Sequence, residues 1–390
     1  MSTSVKHIHN GMRGAPTING TASTLIAALD ALFVTGWGAT TALSVTVAGG
    51  IATAQLTPGE TFDRTAVVLV AGATPAELNG ESRVLTTSNT SITWATTAAD
   101  GLATGTITIK YAPQTSWQKV FAGTNKAAYR SNHVQSNGHF LRIDDAGTTT
   151  CRVRGFESMT DVDTGIGPFP TDAQISGGGH WFKSTTAGAT PVKYRIFCDE
   201  RFVIIAIAAG STSATFVGAP ARGFGDPLPL APGGDTWSTV VSVMAAANNS
   251  YSTQGVLEAG AASSTASGAI FSPRAVSALG SSVLVDAVSY TGAGSSGQIS
   301  TLGAMPSAVD GQVKTSRIYI KEQPAGSPPR TEMPGVLHIP QSGVAAVLAD
   351  GDFLQGVGDL AGRRLMVVMT ASYSGIPTGA YLVDITGPWR

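Results

Sequence analysis

Between residues 42 and 112 six short segments follow one another: LSVTVAG, ATAQLTP, AVVLVAG, SRVLTT, SITWATT and TGTITIKYAP. Their spacing is about 8–12 residues, and glycine or proline breaks nearly every junction. The last segment alternates cleanly. Ile107, Ile109 and Tyr111 fall on one face, and Thr106, Thr108 and Lys110 on the other, which is the period of a half-buried strand. A chain with this cadence folds as strands joined by tight turns. Composition extends that reading to all 390 residues, which include 47 glycines and are 43% hydrophobic but only 13% charged. Disorder requires more charge, and long helices require the Glu, Lys, Leu and Arg that are scarce here. The length exceeds one ordinary core.

The expected fold is therefore all-β. It has an N-terminal arm and short helix over 1–41, a small immunoglobulin-like β-sandwich over 42–112 and a large jelly-roll-like β-sandwich over 113–390. Residue 226 is the alternative point of subdivision. No Cys-Trp-Cys signature accompanies the small sandwich, so membership of the antibody superfamily is not implied.

The first twenty residues read as an extended arm punctuated by Gly11, Gly14, Pro16 and Gly20. TASTLIAALDALFVTG is the one helical pattern. Thr21 is placed to cap it, Leu25, Ile26, Leu29, Leu32 and Phe33 recur at helical spacing, and Gly36 ends it. Such a helix either docks on a neighbouring subunit or lies on its own domain. FVIIAIAA, residues 202–209, is too short to span a bilayer and reads as a buried strand. HFLRIDD, TTTCRVRGFES, HWFKST, VKYRIFCDERFVIIAIAAG, SVLVDAVSY, KTSRIYIKEQP and RRLMVVMTASY are further strands, and the closing YLVDITGPWR completes a sheet. The Ala/Gly/Ser-rich stretches around them read as loops or thin strands.

Net charge is -1, and no run of Lys or Arg stands out. Nucleic acid is not an expected partner. Membrane insertion is not expected either, and no apolar leader segment opens the sequence. A surface so poor in charge suits contact with other subunits. Cys151 and Cys198 are the only cysteines, either two buried thiols or one bridge. The six histidines are scattered, with no HExxH pattern.

DVDTGIGPFP, residues 161–170, is the stretch that most resembles a metal loop. Asp161 and Asp163 occupy positions 1 and 3 of a calcium loop, and Asp172 falls at position 12. Position 5 is Gly165 and two prolines intervene, so few of the required oxygens are present. The alternative is mechanical: the aspartates start a turn, the glycines take unusual backbone angles and the prolines stiffen the exit. Asp144, Asp145, Glu157 and Asp172 lie nearby, but a glycosidase pair needs a cleft that acid content alone does not establish. GAGSSG, residues 292–297, matches GxGxxG by letter but has no βαβ setting. No catalytic residue or cofactor site is expected. In CRVRGF, Arg152 and Arg154 share a face, either solvated and paired with nearby aspartates or turned to another subunit. With Leu25, Ile26, Leu29, Phe33 and Trp389 they are the interface candidates.

Several stretches resemble a family of tailed-bacteriophage virion proteins, tail or baseplate structural components. They are GAPTINGTASTLIAALDALFVTGWG, LVAGATPAELNGESRVL, GTITIKYAPQTSWQKVFAGTNKAAYRS, FLRIDDAGTTTCRVRGFESMTDVDTGIGPFP, GFGDPLPLAPGGD and VDITGPWR. Residues 18–225 carry the most specific part. The GATPAELNG…GTITIK module resembles the immunoglobulin-like insertions of phage tail proteins. The resemblance implies a non-enzymatic particle component, assembled in the host cytoplasm and located in the virion. Its implied partners are copies of itself, as a trimer or a six-fold ring, and other tail proteins. Alternatives are a module that binds a bacterial surface receptor, and a capsid decoration or head-fibre protein.

Overall fold

The computed structural model describes residues 2–208, 219–231, 233–247, 256–258, 268–289, 303–323, 326–371 and 377–390. The GAGSSG stretch lies outside them. The fold is all-β with one short α-helix, and the named strands pair antiparallel throughout. Among the described residues no helix is long and apolar enough to cross a membrane.

The small sandwich is made of two sheets. One orders the strands Trp37–Thr41, Thr108–Tyr111, Val67–Ala71 and Gly80–Arg83. The other orders Thr86–Thr87, Ser91–Ala95, Ile51–Gln55, Ser44–Ala48 and Gly101–Leu102. Alternation decides which side chains go inward: Val45, Val47, Ala52, Ala54, Ile92 and Trp94 are buried between the sheets. Trp37 stacks on Tyr111 with ring centroids 4.8 Å apart, and Phe62 meets the same tyrosine edge-on. The Trp37–Thr41 strand has no clear pattern in sequence, because Gly36 and Gly38 flank Trp37. Gly36 takes φ +67, and a Cβ there would overlap the Tyr111 carbonyl. Glycine is thus required where the helix turns into the sandwich.

The remainder is a layered body. Trp117–Gly123, Lys126–Ser131, Phe140–Asp144 and Thr150–Met159 form successive antiparallel pairs in one layer. Tyr194–Cys198, Phe202–Ile207, Ala221–Gly225 and Val240–Met244 form the middle one. Pairing then continues through Gly268–Ser272, Val283–Ser289, Ser316–Glu322, Pro329–His338, Pro377–Asp384 and Arg364–Ala371. The middle layer is covered on both faces. Val203, Ile205 and Ile207 belong to one core, while Phe202, Ile204 and Ala206 belong to the other. This is why FVIIAI is apolar without alternation. Backbone pairing crosses residue 226, with Phe224 opposite Val241.

The residues read as an extended arm are part of this body. Lys6–His9 pairs with Tyr194–Cys198, Lys6 opposite Cys198 and His9 opposite Arg195. Val5, Lys6, His7 and Ile8 are buried. The polar letters concealed a strand because Lys6 carries its own partners, Glu81 at 2.5 Å and the Pro113 carbonyl at 2.6 Å. Cys151 and Cys198 are both free and buried, and burial raises both thiols above their ordinary range.

Candidate interaction surface

The DVDTGIGPFP stretch is a turn over residues 161–164 that leads into a strand, Gly165–Phe169, paired antiparallel with Thr150–Met159. Asp161 accepts hydrogen bonds from the backbone N–H groups of Asp163 and Thr164, at 2.7 and 2.9 Å. These hold its carboxyl below the usual range. Asp163 is taken by Lys126 at 2.9 Å and Arg142 at 2.6 Å, and those two cations hold it low as well. Gly167 takes φ +61 with the Glu157 side chain packed against it, leaving no space for a Cβ. The neighbouring acids are also matched: Glu157 by Arg274, Asp172 by Arg154, Asp145 by Lys183, and Asp144 by Arg142 at 3.6 Å. Among the described residues no three His, Cys, Asp or Glu side chains gather as a metal site. Asp161 and Asp163 therefore act as turn and ion-pair residues.

Each interface candidate is used inside the chain. Leu25, Ile26, Leu29 and Phe33 are buried on the body, with Phe33 stacked on Trp117 at 4.8 Å and edge-on to Tyr129 at 5.4 Å. The helix, Thr24–Asp30 followed by a π-turn over Ala31–Thr35, lies on its own domain. Thr21 does not cap it. Its first N–H groups point to Asp145, whose Oδ2 accepts from Leu25 at 2.9 Å and Ile26 at 3.3 Å. Arg152 donates to the carbonyls of Ser176 and Gly178. Arg154 binds Asp172 at 2.7 Å and the Ile175 carbonyl at 3.1 Å. Both arginines thus fasten a turn of their own chain. Trp389 covers Gly335 and donates to the Asp384 carbonyl at 2.8 Å. Apolar residues and arginines serve a chain's own core as readily as an interface, so residue type does not separate the two.

One open surface is on the small sandwich. On the outer face of the five-stranded sheet, Thr86, Thr93, Thr53 and Thr46 stand opposite one another across four strands, with Leu102 next in the row. Ser91, Gln55 and Ser44 form the row on one side, and Ala95, Ile51 and Ala48 the row on the other. None of these residues is charged. Leu102 is 68% exposed and Ile51 36%. Thr86 and Thr93 share a hydroxyl hydrogen bond of 2.7 Å, which fixes them on the same face. Adjacent strands lie about 4.8 Å apart, so the threonine methyls and hydroxyls repeat at that interval. Such a face is regular in register and carries no charge in these three rows.

The sandwich that carries this face is bound to the body by a buried arginine. Arg83 donates from Nε to the Ser2 carbonyl at 2.9 Å and from Nη2 to those of Val5 and Thr386 at 3.2 and 3.1 Å. Its Nη1 bonds the carbonyls of Thr65 and Ile385. Residues 2–5, the sandwich and residues 385–386 thus meet on one guanidinium. Burial pulls its pKa down to about 10, which leaves it charged at neutral pH. Nothing in the sequence marked Arg83, because its partners are backbone carbonyls and carbonyls have no residue signature.

No protein-family model matches the chain, and no curated protein matches it.

Proposed function

We propose that this chain is a non-enzymatic structural component of a tailed-phage virion, built into the tail or baseplate, and that it assembles through the outer face of the small sandwich. The observation that carries the reading is the uncharged threonine-lined face, presented on a sandwich clamped to a rigid body by Arg83. Interfaces are depleted of charge at their centres, and a sheet face buries area without reorganising. The strand order also fits an immunoglobulin-like module, the kind of insertion the sequence resemblance implies. The strands starting at Ser44, Ile51, Ser91 and Thr86 take the A-B-E-D order. Those starting at Val67 and Thr108 take C and F, with Trp37–Thr41 standing where G would be. Of the carboxylates considered for chemistry, Asp144, Asp145, Glu157, Asp163 and Asp172 are each engaged by a cation of the same chain, and Asp161 by backbone N–H groups, which agrees with a structural role.

The reading is tested by location. An antibody raised to residues 42–112 is applied to whole particles from the source of this sequence. Label at the tail end is the expected result; particles free of the chain would overturn the proposal.

A further inference from the structure

A cleft of about 480 Å³ opens where the N-terminal strand, the small sandwich and the C-terminal hairpin meet. Three arginines line it, each from a different part of the sequence: Arg64, Arg195 and Arg364. Asp63 is the only carboxylate in the lining, and it is engaged by His9 at 3.0 Å. Arg195 is engaged by Asp350 at 2.5 Å. Arg64 and Arg364 have no carboxylate partner among the described residues. Arg64 donates from Nε to the Leu85 carbonyl at 3.1 Å. Arg364 lies over the Phe353 ring, 3.9 Å from its centroid, and its Nη1 is buried without a hydrogen-bond acceptor. Burial, and Arg64 across the cleft, lower the Arg364 pKa from its ordinary value. The fold thus holds two unneutralised guanidinium groups close enough to repel, at a cost that a bound anion would reverse.

We propose that this cleft binds a sugar-sized ligand bearing a carboxylate or phosphate group, with the anion held between Arg64 and Arg364. Planar guanidinium forks are matched to such groups. The remaining lining suits the rest of a sugar: Thr61, Thr87 and Ser88 line the sandwich side, and Phe353, 44% exposed, lies opposite with Arg364 over one face of its ring. The volume falls within the range of about 300–1,000 Å³ typical of small-molecule sites. The inference is independent of the assembly role, because the cleft lies at the junction with the body and not on the threonine face.

Calorimetric titration of the full chain with glucuronate, glucose 6-phosphate, glucose and inorganic phosphate tests it. Either charged sugar is expected to bind at one site, about tenfold or more tighter than glucose or phosphate alone. Affinity is expected to fall as salt is raised. A preference for glucuronate assigns a carboxylate ligand, and the reverse assigns a phosphorylated one. Arg64→Gln and Arg364→Gln are each expected to weaken that binding about tenfold. Arg64→Gln should not lower the melting temperature, since the side chain is exposed, makes one hydrogen bond and its loss relieves the repulsion with Arg364, so a loss of binding there is not a loss of fold. Three results would overturn the proposal: no charged sugar binding at millimolar concentration, equal binding of glucose or bare phosphate, or native affinity in both variants.

Discussion

Lys183 and Asp145 are both fully buried, 2.5 Å apart. Lys183 also donates to the carbonyls of Thr21 and Gly147, and Asp145 receives the first helical N–H groups. Every charge in the pair is therefore matched, and removing one partner leaves the other desolvated. Lys183→Met is expected to cost about 3–5 kcal/mol in urea unfolding. The double variant Lys183→Met/Asp145→Asn should recover most of it, because Asn still caps the helix and carries no charge. A cost of about 1 kcal/mol or less in the single variant would contradict this account. His7 sets a second residue-scale expectation. Burial, with His9 beside it, pushes its imidazole from 6.5 down to about 3. The folded state keeps His7 neutral while the unfolded chain takes up a proton below 6.5. Stability is thus complete above that value and is lost progressively as pH falls toward 3. His180, brought down to about 4 by burial and Arg152, acts in the same direction. Replacing His7 with Gln should flatten the acid limb of a stability-against-pH curve; an unchanged limb would refute the assignment.

Among the elements, those with a strong local period were legible. Thr108–Tyr111 follows the alternation of TITIKY, and Thr24–Thr35 follows the helical spacing of Leu25, Leu29 and Phe33. What was not legible depends on distant partners. Asp145 caps a helix 120 residues before it, so no local motif announced the cap. Lys6–His9 reads as polar, yet it is a paired strand because Glu81 and Pro113 accept its lysine. Arg83 joins this strand's approach to the sandwich and to residues 385–386. Arg83→Ala would remove all five of its donors and leave buried carbonyls without partners. Hydrogen exchange should then accelerate in residues 2–9 and 384–390 together, while the Ile51–Gln55 and Ser91–Ala95 strands keep their protection. Exchange confined to one of the two segments would show that Arg83 does not couple them.

At the scale of the whole molecule, composition was sufficient for the all-β class, because abundant glycine and scarce charge leave few alternatives. It was not sufficient for surfaces. The residues selected for contact with neighbours, from Leu25 to Trp389, are occupied within the chain. The open sandwich face consists mostly of threonine, serine and alanine, which attract no notice in a sequence rich in all three. The cleft arginines were equally hidden, since Arg64, Arg195 and Arg364 form no run and meet only in the folded chain. The proposed contact between subunits is the uncharged sandwich face. Thr53 stands in the middle of that face, half-buried between Thr46 and Thr93. A lysine there can reach solvent and keep the fold, but it puts an uncompensated charge at the centre of any contact. The most direct measurement is the native mass of the purified full chain beside Thr53→Lys, at equal concentration and with melting temperatures compared. A defined oligomer for the native chain and a folded monomer for Thr53→Lys is the predicted result. A native chain that stays monomeric, or a variant that assembles as well as the native chain, would contradict the claim.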